Sequence, residues 1–139
     1  MKTIIAATDF SPVSLNAVNF AADMAQAIDA SLLLFNAYNI PVTYADVPVV
    51  LVSVDEIKKS SEARLGKLKD EIVHVTSGKL KVYTEARMGN TVDELEGLCK
   101  KIQPFAVVMG AKGTSGIEKI LFGNTALTAI RHLTWPVIC

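Results

Sequence analysis

The sequence predicts an α/β fold built on an open, doubly wound sheet of five parallel strands, with helices on both faces. Short apolar runs alternate with amphipathic helical patterns in a β-α-β-α-β-α-β-α-β order, which is typical of a parallel sheet. The apolar runs also lack the alternation of a strand with one solvated face, as in "KTIIAAT" over residues 2–8. Right-handed crossovers then favour the strand order 3-2-1-4-5, with the first and fourth strands adjacent.

The first helix has clear start signals. Ser11 is a predicted N-cap, and Pro12 follows in the first helical position, where a missing N–H is tolerated. Apolar residues at spacings of three and four predict the helix face that packs against the sheet: Val13, Ala17, Phe20, Met24 and Ile28. The second strand is predicted in the run "SLLLFNAY", from Ser31 to Tyr38.

The middle of the chain contains a long apolar connection followed by a helix and a strand. The connection, residues 40–52, has two interpretations: a segment that covers a ligand or contacts another subunit, or the early start of the next helix. Ser53 and Glu56 have the spacing of a capping box, which predicts a helix from there to about His74. The run "KLKVYTEAR", residues 79–87, is the predicted third strand.

The last part of the chain completes the pattern. Thr91 and Glu94 have the spacing of a second capping box, for a helix through Ile102. The run "FAVVMGA" is the predicted fourth strand, Asn124 to Leu133 the last helix, and "PVIC" the start of a fifth strand. Because that strand has only four residues before the chain stops, we expect the sequence to be a fragment of a longer protein, truncated within its last strand.

Length and composition argue against several classes of partner for this protein. The 139 residues predict one domain, 1–139, and the 14 Lys and Arg balance 14 Asp and Glu, so we expect no nucleic-acid and no membrane partner. The first apolar run is too short for a signal peptide, and none approaches the roughly 20 residues of a membrane span, which favours a cytoplasmic location. The two cysteines and two histidines lack metal-ligand spacing, so no metal site is predicted.

Three glycines separate the predicted fourth strand from the last helix: Gly110, Gly113 and Gly123. Glycines let the backbone approach a ligand closely, and the N-terminus of the following helix favours an anion. Asp9, after the first strand, would lie at the same sheet edge, where ligands bind in open α/β folds. The pattern favours a phosphate-binding cradle. The residues alone leave an alternative open, in which Gly110 and Gly113 make a strand-exit turn and Gly123 only starts a helix.

The segment Gly110-Ala-Lys-Gly113, followed after nine residues by Gly123-Asn124, resembles the G-x2-G-x9-G-(S/T) nucleotide motif of the universal stress protein family. The resemblance extends to "IIAATDFSPVSLNAVNFAADMA" at the start and covers essentially the whole chain. It implies a Rossmann-like, five-stranded fold that binds ATP, with Mg²⁺ held through the phosphates. It also implies a homodimer, commonly formed through the last strand, or a pair of tandem domains.

The same resemblance assigns roles by position. Asp9 would lie near the ribose hydroxyls, and Ala37 would meet the adenine through its backbone. The complete set of implied nucleotide-binding residues is Ala7, Asp9, Ala37, Met109, Gly110, Lys112, Gly113, Gly123, Asn124 and Thr125. Asn124 departs from the family pattern, which has Ser or Thr there. Its amide can donate to a phosphate oxygen, but as an N-cap its oxygen would accept a backbone N–H instead.

These observations predict an ATP-binding regulatory or stress-response module with no catalytic residue of its own. No histidine or carboxylate is placed near the glycines to activate a water, so any ATP hydrolysis should be far slower than about 10 per second. Adenylate-forming and FMN-binding folds need a glycine-rich turn after the first strand, where this chain has "TDFSPVS", and a phospho-acceptor receiver needs paired acids there. The remaining alternative is a ligand-free domain that uses the same fold to dimerise or dock a partner.

Overall fold

Residues 2–39, 54–110, 128–129 and 131–139 are described by the structure, a computed structural model. Within them lie β1 Thr3–Ala7, α1 Pro12–Ala27, β2 Ser31–Tyr38, α2 Val54–Val75, β3 Val82–Met88, α3 Thr91–Ile102, β4 Ala106–Met109 and β5 Val137–Ile138. Residues 128–129 and 131–132 are also helical. The apolar connection 40–52, Ser53 and most of the predicted last helix lie outside the described residues.

The strands form one parallel sheet in the order β3-β2-β1-β4-β5, which confirms the predicted fold class. At the centre of the sheet, Ala7 of β1 pairs with Phe35 of β2 on one side and with Met109 of β4 on the other. The strand order therefore reverses between β1 and β4, and the carboxyl ends of β1, β2 and β4 meet at one edge. Open α/β sheets bind their ligands at this point.

Alternate residues of the central strands face the two sides of the sheet, and helices cover both. Ile4 and Leu34 pack on the side of α1 and α2, whereas Ile5 and Phe35 pack on the side of α3. All four of these side chains are fully buried. Burial on both faces explains why these strands are apolar at nearly every position, as the sequence predicted.

The face of α1 that packs against the sheet matches the predicted face only in part, since Ala17, Met24 and Ile28 pack partly buried against the core. Phe20 is 51% exposed, so the prediction that it packs against the sheet is wrong. The buried residues of the helix are smaller ones: Ser14, Val18, Ala21, Ala22 and Ala25. Small side chains let the helix lie close to the sheet. Ser14 can be buried because its hydroxyl hydrogen-bonds with the Thr8 hydroxyl, with the two oxygens 2.8 Å apart.

The helix starts follow the capping rules, with one correction. Ser11 is the N-cap of α1, with Pro12 next to it, as predicted. The N-cap of α3 is Asn90, whose side-chain oxygen accepts two backbone N–H groups of the first turn at 3.0 and 3.2 Å. The predicted capping box was therefore one residue late, because Thr91 is already helical. No helix among the described residues is both long enough and apolar enough to cross a membrane.

Candidate functional site

Three of the predicted nucleotide-binding residues meet at the carboxyl edge of the sheet. Ala7, Asp9 and Ala37 line one cavity of about 40 Å³, together with Thr91 at the start of α3. Ala7 is buried at the end of β1, while Asp9, two residues on, is exposed. Small-molecule sites usually measure about 300–1,000 Å³, so this cavity by itself can hold only a fragment of a ligand.

Asp9 lies in a tight turn between β1 and α1. Its Oδ1 accepts a hydrogen bond from the Ser11 backbone N–H at 2.9 Å, which occupies one of the two carboxylate oxygens. Phe10, between them, has a φ of 66°, the left-handed conformation that is rare for a bulky residue. Such a conformation costs about 1–3 kcal/mol and persists only where the surrounding contacts determine it. The turn is therefore held in place by its neighbours.

A chain of buried hydrogen bonds provides these contacts. The Thr8 hydroxyl bonds with Ser14 and also accepts the Phe10 N–H at 2.9 Å. The Thr8 carbonyl accepts a hydrogen bond from Asn36 Nδ2 at 2.8 Å, and Asn36 Oδ1 accepts one from the Ser61 hydroxyl at 2.7 Å. Thr8, Ser14, Asn36 and Ser61 are all buried. The turn that carries Asp9 is thus connected to α1, to the end of β2 and to α2.

A second cavity, of about 410 Å³, shares Asp9 and Ala37 with the first. It lies between the end of β2, the turn after β1 and the first part of α2, and Phe10, Tyr38 and Arg64 are among its lining residues. The Arg64 guanidinium carbon is 4.1 Å from the centroid of the Phe10 ring, a cation–π distance. This cavity is large enough for a small molecule and places a cation beside it.

The end of β4 supplies the next two predicted residues. Met109 and Gly110 are buried beside the end of β1, and both also line an apolar groove of about 470 Å³. Phe20 of α1 and Ile138 of β5 are on the walls of the same groove. The other five predicted residues, Lys112, Gly113, Gly123, Asn124 and Thr125, lie outside the described residues.

The described residues form no metal centre at this edge. Among them, no group of three or more His, Cys, Asp or Glu side chains could hold a metal ion. Burial, with a smaller contribution from the nearby charge of Glu96, raises the pKa of the Cys99 thiol to about 11. Cys99 belongs to the core beneath α3, so its thiol remains protonated and unreactive at neutral pH.

Five polar residues that support the site were not predicted from the sequence as part of it: Thr8, Ser14, Asn36, Ser61 and Thr91. One of them had a visible signal. Asn36 interrupts the otherwise apolar run "SLLLFNAY", and a polar side chain in a strand buried on both faces must have hydrogen-bond partners. Ser61 had no such signal, because its position in a charged helix gives no indication that its hydroxyl faces the sheet.

A parallel sheet with the order 3-2-1-4-5, and with cavities at its carboxyl edge, places the protein among the doubly wound α/β folds. The profile of the universal stress protein family matches residues 1–139, and the chain belongs to this family. The match confirms the family resemblance found in the sequence.

Individual relatives agree with this assignment. The chain is 29% identical over 142 residues to a universal stress protein from Methanocaldococcus jannaschii, covering 99% of this chain and 80% of that protein. A solved universal stress protein in complex with cAMP has a TM-score of 0.72 and 27% identity, covering 99% of this chain and 94% of that one. The fold is also that of UspA from Lactobacillus plantarum, with a TM-score of 0.80, 20% identity and coverage of 99% and 95%.

Proposed function

We propose that this universal stress protein binds ATP at the carboxyl edge of its sheet and acts in the cytoplasm as a nucleotide-dependent regulatory module of a stress response. One observation carries the proposal: Ala7, Asp9 and Ala37 converge beside the end of β4, where the glycine motif begins. The cAMP complex of a related family member supports an adenine nucleotide as the class of ligand.

The described residues suit the nucleoside half of the ligand. Asp9 is exposed and uses one carboxylate oxygen within its turn, so the carboxylate can accept hydrogen bonds from the ribose hydroxyls. Ala37 lies at the end of β2 with its small side chain half-buried, which lets a flat base approach the backbone. Both residues line both cavities, and the larger one has the volume that such a ligand needs.

The phosphate half of the ligand is assigned to the glycine motif. Gly113 and Gly123 would let backbone N–H groups reach the phosphates, and Lys112, Asn124 and Thr125 would add side-chain donors. Mg²⁺ would bind through the phosphate oxygens, as it usually does in nucleotide sites. Because no base is assigned to activate a water, we expect ATP hydrolysis to be slow compared with about 10 per second.

Calorimetric titration with magnesium-ATP tests this proposal. We expect micromolar binding by the wild-type protein and none by Gly113→Val, because two methyl groups would stand where a phosphate approaches. Gly66→Val is the matched control, since Gly66 lies in α2 and a Cβ there meets no atom within 4 Å. Absence of heat with the wild-type protein, or wild-type affinity in a folded Gly113→Val variant, would contradict the proposal and favour the ligand-free docking domain.

The apolar groove supports a second part of the proposal, a homodimer or tandem-domain pair. The groove runs beside β5, at one edge of the sheet, and the exposed ring of Phe20 lines it. Covering it with a second universal stress protein domain would remove this apolar surface from water. Light scattering after gel filtration should give the mass of a dimer for the wild type and of a monomer for Phe20→Ser. Val75→Ser is the control, because Val75 is 80% exposed at the end of α2.

A further inference from the structure

We infer that Asn36, oriented by Ser61, is a positioning residue for nucleotide binding: it fixes the peptide that carries Asp9, and so controls how strongly the site distinguishes ribose from a sugar without hydroxyls. The inference rests on the proposed nucleotide site. It concerns a hydrogen-bonded connection from α2 through β2 to the turn after β1. Asn36 and Ser61 also line the larger cavity, so the test compares nucleotides that differ only in the ribose hydroxyls.

The backbone N–H, the backbone carbonyl and the hydroxyl of Thr8 all form hydrogen bonds. Its N–H donates to the Phe35 carbonyl at 2.9 Å, its carbonyl accepts from Asn36 at 2.8 Å, and its hydroxyl bonds with Ser14 at 2.8 Å. The peptide bond is planar, so a fixed Thr8 carbonyl also fixes the N–H and Cα of Asp9. Asn36 is the residue that holds this carbonyl. The direction in which the Asp9 side chain leaves the backbone therefore depends on Asn36.

The second step is the orientation of the Asn36 amide. An asparagine presents a donor on one side and an acceptor on the other, and only the donor can hold the Thr8 carbonyl. The Ser61 hydroxyl, 2.7 Å from Asn36 Oδ1, satisfies the acceptor and keeps the amide in this orientation. Both residues are buried, at 8% and 6% exposure, so loss of the Ser61 hydroxyl would remove the protein partner of the Asn36 oxygen. Ser61 thus acts on Asp9 through Asn36.

The third step is the left-handed conformation of Phe10. Phe10 has a φ of 66°, an unfavourable conformation for a bulky residue, so the turn would relax to another conformation if contacts did not fix the preceding residues. Its N–H donates to the Thr8 hydroxyl at 2.9 Å, so the constraint on this residue also passes through Thr8. Loosening the Thr8 carbonyl would allow the turn to relax and Asp9 to adopt several directions. The affinity for ribose hydroxyls would then fall, whereas contacts elsewhere on the nucleotide would remain.

Replacing Ser61 with Ala tests the inference on the whole chain. Dissociation constants are measured for magnesium-ATP and for magnesium-2′,3′-dideoxy-ATP, which lacks both ribose hydroxyls. We expect Ser61→Ala to weaken ATP binding about fivefold, the equivalent of one lost net hydrogen bond, and to leave dideoxy-ATP binding unchanged. Ser61→Thr, which keeps the hydroxyl, should restore the preference. Ser77→Ala, at an exposed serine beyond the end of α2 that lines neither cavity of the site, is the matched control and should behave as the wild type.

Two results would overturn the inference. Equal weakening of both nucleotides by Ser61→Ala would indicate a general loss of structure, and unchanged binding of both would mean that the connection does not reach Asp9. Thermal melting of each variant identifies any that fails to fold.

A measurement without nucleotide separates this inference from the proposed function. The Ser11 N–H donates to Asp9 Oδ1, so its hydrogen exchange, followed by NMR, reports whether the turn is held. Exchange at Ser11 should be faster in Ser61→Ala and unchanged in Ser77→Ala, and equal rates in all three proteins would contradict the positioning role. If the wild type bound neither nucleotide, the proposed function would fail, and the ribose role of Asn36 with it. Exchange at Ser11 would still decide whether Ser61 orders the turn.

Discussion

Asp9 has a structural contact and a proposed ligand contact, and a pair of substitutions separates them. Asp9→Asn keeps an oxygen that can accept the Ser11 N–H, whereas Asp9→Ala removes that acceptor. Both remove the negative charge that lies just before the N-terminus of α1, a loss of about 0.5 kcal/mol of stability. Asp9→Ala should lose about 1 kcal/mol more, because the Ser11 N–H loses its partner. The two variants therefore differ in stability, but both lose the carboxylate oxygen that is proposed to accept a ribose hydroxyl.

Unlike stability, the affinity for ATP should fall to a similar extent in both variants. In Asp9→Asn, the amide oxygen of the new side chain accepts the hydrogen bond from the Ser11 N–H. The NH2 group then lies where the second carboxylate oxygen was, and an NH2 group cannot accept a hydrogen bond from a ribose hydroxyl. A hydrogen bond to a charged group contributes about 1.5–3 kcal/mol, so both variants should bind magnesium-ATP about tenfold or more weakly. Calorimetric titration measures the affinity, and scanning calorimetry measures the stability. Asp23→Asn, at an exposed position of α1, is the control.

One outcome would refute this reasoning about Asp9. If Asp9→Asn bound ATP with wild-type affinity while Asp9→Ala lost affinity in proportion to its stability, Asp9 would be only a turn residue. The carboxylate would then have no part in ligand binding, and the ribose hydroxyls would need another acceptor.

Three further predictions concern stability. Gly66→Ala should raise the free energy of unfolding by about 1 kcal/mol, since Gly66 is inside α2 and a Cβ there meets no atom within 4 Å; chemical denaturation measures it. Asn90→Ala should lower it by about 1 kcal/mol through the loss of the α3 cap, and Asn90→Asp should preserve most of it. The pKa of the Cys99 thiol is near 9 in the unfolded chain but about 11 in the folded one. The protonated thiol therefore contributes its full stabilisation below pH 9, and this contribution is lost as the pH rises to 11. The free energy of unfolding, measured between pH 9 and pH 11, should fall less steeply in Cys99→Ala than in the wild type.

The fold could be predicted from the sequence because its main signals are local. The apolar run of β2 has the predicted bounds, Ser31–Tyr38, and the Ser11–Pro12 start of α1 is where the capping rules place it. The fully buried residues of α1 could not be predicted in the same way, although Ala17, Met24 and Ile28 of the predicted face do pack against the core. Its buried stripe consists largely of alanines, which carry a weak apolar signal, so the larger Phe20 dominated the pattern although it is exposed. Only contact with the sheet determines which apolar side chains of the helix are buried.

The residues of the candidate site also divide into those that could be predicted from the sequence and those that could not. Asp9 follows from the end of the predicted first strand, whereas Ala7 and Ala37 were implied by the family resemblance, and the structure places all three around one cavity. The hydrogen bond between Asn36 and Ser61 joins residues 25 positions apart on different elements. No spacing rule along the chain relates two such residues, because their contact depends on how α2 lies against β2. Sequence patterns thus locate a site at a sheet edge more easily than they identify the residues that hold it in shape.

The turn after β1 bears on how the proposed nucleotide would bind without a glycine-rich loop at that position. Such a loop serves phosphates by exposing backbone N–H groups. Here the N–H groups of Phe10 and Ser11 are already used within the turn, by Thr8 and Asp9. What the turn offers instead is a carboxylate, an acceptor suited to hydroxyls and repelled by phosphates. In the proposed complex the sugar would therefore lie beside β1 and the phosphates beside the residues that follow β4, which is where the chain carries its glycines.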